Sequence, residues 1–285
     1  MSELFRRVAR VVVDDGDVDI LDIKDLRVSF EVTRDTDRTP NSANITIYNL
    51  SADSRKTLQQ DAEYIELEAG YEKTSEIIFE GDIRTVVSRK MATGWETVIA
   101  AGDGEKAVRS SRINESFGGQ GNGKSIKDAI AKCAEAFTGV DTADAIRKIK
   151  EEPAERESLL YKILQAYKGY TATGKVEKEF SKLMQGYGRS WSVQNGKLQV
   201  LKRTETTDDA AIILNPASGL IGVPEGGDKG VVTCDAKLQP GFFPGRKVLL
   251  ESDAFGSGDY RVESVRHIGD TRGQAWTSRL ELTPL

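Results

Sequence analysis

The residues Gly118-Gly-Gln-Gly-Asn-Gly123-Lys124-Ser125 have the spacing of a phosphate-binding loop. In such a loop, backbone N–H groups wrap the phosphates, a lysine neutralises the outer ones and a Ser or Thr hydroxyl holds Mg²⁺. Here Lys124 and Ser125 would take those roles, and Ile126 opens a run at helical spacing. The surrounding sequence argues against it. Arg112–Ser116 is polar, whereas a phosphate loop follows a buried parallel strand. No later apolar strand ends in a metal-holding aspartate; the similar string Val11-Val12-Val13-Asp14 precedes the loop. A glycine linker with Asn122 or Gly123 at the helix start accounts for the same residues. Gly118, Gly123, Lys124 and Ser125 therefore stand as an alternative phosphate loop, and no cofactor is expected.

Other chemistries lack their residue types. A single histidine, His267, excludes H-E-x-x-H zinc sites and multi-histidine metal centres. A Ser-His-Asp triad would have to use it, yet no G-x-S-x-G elbow is present. His267 reads as a surface or sheet-edge residue. The two cysteines, Cys133 and Cys234, fall in a helical and a strand pattern and read as small buried apolar residues, not a disulfide or thiolate site. With 45 acidic residues, sequence offers no way to single out a catalytic carboxylate pair. No catalytic residue and no metal ligand is assigned.

A chain of 285 residues can hold one large or two to three small domains. Hydrophobic residues make up 38% and charged residues 30%, the balance of a hydrated globular protein. The net charge of −5 disfavours nucleic-acid binding through phosphate neutralisation. Trp95, Trp191 and Trp276 lie on strand patterns without interleaved basic clusters, which argues against base stacking. No apolar run approaches the roughly 20 residues of a membrane helix, so no membrane anchor is expected. The apolar run Val11–Val13 is too short for a signal peptide and reads as a first strand.

The elements that would position these residues fall into three regions. Through the first hundred residues apolar side chains alternate with polar ones: Leu26, Val28, Phe30 and Val32, then Ile65, Leu67, Ala69 and Tyr71. Further strands are expected at Val8–Val13, Ala43–Asn49, Ile77–Phe79, Ile83–Ser88 and Glu96–Ala101. This period marks antiparallel strands with one wet face. Ser51 is placed to cap a helix over Ala52–Gln60. The middle switches to helical spacing: Ile126 to Phe137, then Ile146 and Ile149, then Leu159 to Tyr167, then Val176 to Met184. A hairpin follows, with Trp191 and Val193 before Asn195-Gly196 and Leu198 and Val200 after it. The last eighty residues return to β, with strands at Gly230–Ala236, Val248–Leu250, Tyr260–Arg266 and Trp276–Thr283. Turns are expected at Ser218–Pro224, Leu238–Gly241, Gly256–Asp259 and Gly269–Gly273. No internal repeat is evident in the residues, although two β regions around a helical insert fit two diverged related domains.

Three stretches together carry a family resemblance: Asn44–Leu50 (NITIYNL) with its following helix, the insert ending in Trp191–Leu201, and the Gly- and Pro-punctuated Ser218–Leu250. Their layout resembles phage tail baseplate hub proteins, the tube-like subunits beneath the tail tube. The resemblance implies an α+β, mainly β chain: a tube-like antiparallel β barrel or sandwich over 1–105, an inserted α+β domain over 106–205, and a second tube-like β domain over 206–285. It implies a structural virion protein, not an enzyme, assembled in the host cytoplasm. As a trimer, its six β domains would join the sixfold tail tube to a threefold spike. The implied partners are tail tube or tube-initiator proteins above, a cell-puncturing spike below and other baseplate proteins, with DNA passing through the lumen without specific binding. The alternatives are a nucleotide-binding protein using Gly118–Ser125 and a tail tube or tube-initiator subunit.

Overall fold

A computed structural model describes residues 6–16, 18–118, 126–151, 169–202 and 204–285. The chain is mainly β and divides into two compact units: residues up to 35 with 41–103 and 206–285, and residues 36–40 with 104–205.

Among the described residues, the first unit is built on one sheet of thirteen strands. Its N-terminal part comprises β1 (Arg7–Asp14), β2 (Asp19–Ile23), β3 (Val28–Asp35), β4 (Ser42–Tyr48), β5 (Tyr64–Tyr71), β6 (Glu76–Met91) and β7 (Gly94–Gly102). Helix α1 (Ala52–Gln60) lies between β4 and β5, and the Ser51 hydroxyl accepts from Ser54 N at 3.0 Å, as its spacing predicts. The alternating residues behave as expected: in β3, Val28, Phe30 and Val32 are buried while Ser29 and Glu31 are not. Residues 77–79 and 83–88, read as two strands, form one long β6; a bulge at Arg84 lets it continue.

The C-terminal part comprises β12 (Ile212–Leu214), β13 (Leu220–Gly226), β14 (Val232–Lys237), β15 (Lys247–Ser252), β16 (Gly256–Asp270) and β17 (Trp276–Pro284). Two expected turns are strands. Leu220–Pro224 belongs to β13, because Gly222 at φ 70° forms a bulge and not a reversal, and the turn sits at Asn215–Ser218. Gly256–Asp259 opens β16, pairing with Leu249–Ser252 of β15. Likewise β16 runs through Gly269 to Asp270 before turning.

The two parts repeat one strand order. In the first it runs β3-β4-β7-β6-β5-β1, in the second β13-β14-β17-β16-β15-β12. Each has a long strand that pairs with its predecessor along its first half and with its successor along its second. The bulge falls at the same place in both, between Ile83 and Thr85 and between Val262 and Ser264. Even a side-chain contact recurs: Ser88 meets Thr97 at 3.0 Å, and His267 meets Ser278 at 2.8 Å. The outer strand differs, since β1 runs antiparallel to β5 and β12 parallel to β15. Each part has its own core. The first gathers Val11, Ile45, Ile65, Leu67, Phe79 and Ile99, the second Leu214, Phe242, Val248, Leu250, Val265 and Leu280.

The second unit has a separate core of Phe137, Phe180, Leu183, Tyr187, Trp191 and Val200. It contains α2 (Glu105–Ser110), β8 (Arg112–Gly118), α3 (Ile126–Glu135), α4 (Ala143–Glu151), β9 (Gly169–Lys175), α5 (Val176–Tyr187), β10 (Arg189–Gln194) and β11 (Lys197–Lys202). The aromatic rings of Phe137, Phe180 and Trp191 meet at 5.3 to 5.6 Å between centroids. Helix α5 ends at Gly188 in the left-handed region, and Asn195-Gly196 turn the β10–β11 hairpin with φ of 49° and 66°. The helix expected over Leu159–Tyr167 lies outside the described residues.

Candidate assembly surfaces

Most of the candidate phosphate loop lies outside the described residues. Gly118 ends β8, and Gly123, Lys124 and Ser125 lie outside them. The strand before the loop pairs antiparallel with β9 in a two-stranded ribbon, with Ile113 and Phe117 buried. A phosphate loop instead leaves a parallel strand, whose helices and loops gather at its carboxyl end. Among the described residues, no group of three His, Cys, Asp or Glu is placed to hold a metal ion, and no helix is long and apolar enough to cross a membrane.

His267 is not at the surface. It is fully buried, and Nε2–H donates to the Phe242 carbonyl at 3.2 Å while Nδ1 accepts from the Ser278 hydroxyl. Burial, together with the nearby Arg34 cation, pushes its pKa down to about 3. A neutral imidazole with both nitrogens bonded holds the sheet together; it is not poised for proton transfer. Both cysteines are buried and free, and burial raises each thiol to about 12, so neither is a nucleophile at neutral pH. In the second unit, Glu179 accepts from Tyr170 at 2.5 Å and from Lys182 at 2.6 Å. That contact ties β9 to α5 and uses both carboxylate oxygens.

The distinctive geometry is a seam between the two β parts. Strand β3 pairs antiparallel with the second half of β16 over seven residue pairs, from Ser264–Asp35 to Asp270–Ser29. Arg27 grips Asp270 with two bonds of 3.1 and 2.6 Å, and Arg266 meets Glu31 at 2.9 Å. The Arg27 bonds hold the Asp270 carboxyl below the usual carboxylate range. Gly269 lies under the Phe30 ring; a Cβ there would sit 2.2 Å from Phe30 Cζ. Behind the seam, buried Arg34 donates to the Ile78 carbonyl at 3.1 Å, and burial lowers its pKa to about 10 despite the nearby Asp103 and Glu80. The seam thus joins two complete β parts edge to edge within one chain. Sequence reading missed it, because pairing between residues some 235 apart leaves no local periodicity.

Edges remain beyond the seam. Among the described residues no strand pairs the outer side of β13 or the side of β6 away from β7 beyond Ile83. Four of the exposed large apolar residues lie on β13 and on β6 beyond Ile83: Ile221 (42% exposed) and Val223 (59%) on β13, Val87 (56%) and Met91 (47%) on β6. Exposed apolar strands next to unpaired backbone mark surfaces built to be covered.

No family model matches the sequence, and no curated protein matches it. Solved structures share the fold. A tail protein from Neisseria meningitidis MC58 superposes with a TM-score of 0.61 at 11% identity, covering 98% of this chain and 96% of its own. The 43 kDa tail protein of prophage MuSo2 from Shewanella oneidensis gives 0.59 at 9% identity, covering 97% and 98%. An Escherichia coli protein, described as a component of the type VI secretion system with structural similarity to the T4 tail proteins gp27 and gp5, gives 0.52 at 9% identity, covering 91% and 73%. The chain therefore has the fold of phage tail proteins over nearly its whole length, with sequences too far diverged for more than the fold to follow.

Proposed function

We propose that the chain is a structural tail protein acting as a central baseplate hub. One observation carries this reading: a single chain fuses two β parts of the same strand order, each with its own core, into one sheet. A chain of this kind presents two tube-like modules at once. Three copies in a ring offer six modules to a sixfold tube while keeping threefold symmetry for a spike below. In this reading residues 1–105 and 206–285 supply the modules and 106–205 the insert. The ring stays open for DNA to pass, its partners are tube or tube-initiator proteins and a spike, and it sits in the virion tail after assembly in the host cytoplasm. The net charge of −5 suits a surface that does not retain DNA.

The fold of tail proteins favours this over catalysis, and so do a doubly bonded buried histidine and two inert thiols. A tube subunit needs one module; the second module and the insert favour the hub. Solution mass by light scattering across a wide concentration range tests the reading. Three times the chain mass is the expected limit. A mass that grows without limit would favour a tube subunit. A tight, salt-sensitive DNA complex would count against the open ring.

A further inference from the structure

We propose that the free edge of β13 pairs antiparallel with Thr85–Met91 of β6 in a second copy of this chain, in the register that β3 and β16 use within one chain. The inference rests on the ring reading above and names the strands and residues that close it.

The internal repeat supplies the register. Crossing the sheet at one level in the first part meets Thr85, Ala100, Asn44 and Glu31; in the second part it meets Ser264, Glu281, Thr233 and Glu225. So β6 stands where β16 stands, and β13 where β3 stands. Inside the chain, the second half of β16 is covered by β3. The matching half of β6 and the matching side of β13 have no strand partner among the described residues. Each copy therefore carries both halves of a seam it has already built once. A head-to-tail contact of two different edges propagates from copy to copy and closes when the rotation allows.

The side chains at the two edges fit each other. Ile268 faces Glu31 in the internal seam, and the corresponding pair between copies is Arg89 and Glu225. Arg89 is 62% exposed although it also meets Glu96, and Glu225 has no ion-pair partner among the described residues. Asp270 faces Ser29 inside the chain, and the corresponding pair is Met91 and Ile221, both exposed and apolar. An ion pair and two apolar residues that a lone chain leaves in water thus fall opposite one another. The seam is not copied in every detail. Strand β13 takes four steps from Ile221 to Glu225 where β3 takes two from Ser29 to Glu31, and Gly222 at φ 70° absorbs the excess. Val223 stands on that bulge, beside the apolar Met91–Ile221 end of the contact.

Cysteine cross-linking of the full chain tests the register. Opposed residues of an antiparallel pair have Cα atoms about 4.5–5.5 Å apart, within disulfide reach. The native thiols are buried and contribute little background. The chain carrying Arg89→Cys and Glu225→Cys is expected to yield disulfide-linked species of two and three chains under mild oxidation. The chain carrying Arg89→Cys and Gly226→Cys, whose side chains fall on opposite faces, is expected to yield at least tenfold less. As a second measurement, Ile221→Lys and Val87→Lys, each on an exposed edge, should raise the half-association concentration more than tenfold with thermal unfolding of the chain unchanged. A ring by mass without the Arg89–Glu225 cross-link would overturn these edges and leave the hub reading standing. A chain that stays monomeric and uncross-linked at the highest attainable concentration would overturn the edge pairing and remove its support from the ring.

Discussion

Lowering the pH from 7 to 5 is expected to remove about 2 kcal/mol of stability through His267 alone. The imidazole is fully buried, with both nitrogens bonded, and its pKa in the fold is about 3. In the unfolded chain it returns to about 6.5. Between these values the unfolded state binds the proton and the folded state does not. Stability therefore rises with pH across this window, is fully present above about 6.5, and is lost as the pH falls toward 3. Each unit is worth about 1.36 kcal/mol, so the loss is about 2 kcal/mol at pH 5 and about 3 kcal/mol at pH 4. Because the chain has one histidine, its imidazole NMR signal is unambiguous. That signal should stay in the neutral form, with the proton on Nε2, for as long as the protein is folded. Urea unfolding of wild type and His267→Gln at pH 7, 6, 5 and 4 should show a stability difference that shrinks with acid by these amounts. Carboxylates such as Asp270 titrate alike in both chains and drop out of the comparison. An imidazole titrating near 6.5 in the folded protein, or parallel pH profiles for the two chains, would refute the reasoning.

Gly269→Ala places a Cβ against the Phe30 ring and should destabilise the seam by about 1–3 kcal/mol, read as a lower urea midpoint. Phe180→Ala empties the aromatic centre of the insert and should cost about 3–5 kcal/mol in a transition reported by Trp191 fluorescence. Arg34→Met removes a buried cation whose charge acts on buried Asp103, and with it the bond to the Ile78 carbonyl, and should cost about 3–5 kcal/mol, measured by thermal unfolding at neutral pH. Mg-ATP should leave the melting temperature unchanged in wild type and in Lys124→Ala alike; a shift in wild type lost in the variant would instead establish Gly118–Ser125 as a nucleotide site.

Local physics made much of the fold legible. The Ser51 cap, the alternation along β3 and β5, the Asn195-Gly196 turn and the helical spacing from Val176 to Met184 each depend on neighbours a few residues away. Turns were misread where glycine served a strand. Gly222 bulges β13 and Gly256 begins β16, and glycine's tolerance of positive φ serves a bulge as readily as a reversal. His267 looked like an edge residue because a lone histidine carries no sign of burial. Its depth is set by Ser278, Phe242 and Arg34, which only the folded sheet brings to it.

The sequence by itself determined the period of each element, the return from helices to strands and the residue types missing for metal or triad chemistry. Those are composition and spacing, and they survive in an unfolded chain. Tertiary structure alone decided that two β parts repeat one strand order, that β3 and β16 fuse them, and that among the described residues one side each of β6 and β13 is left without a strand. Strand order and pairing join residues more than two hundred positions apart through backbone hydrogen bonds, which are blind to side-chain identity. The repeat is therefore visible in topology although the residues do not display it.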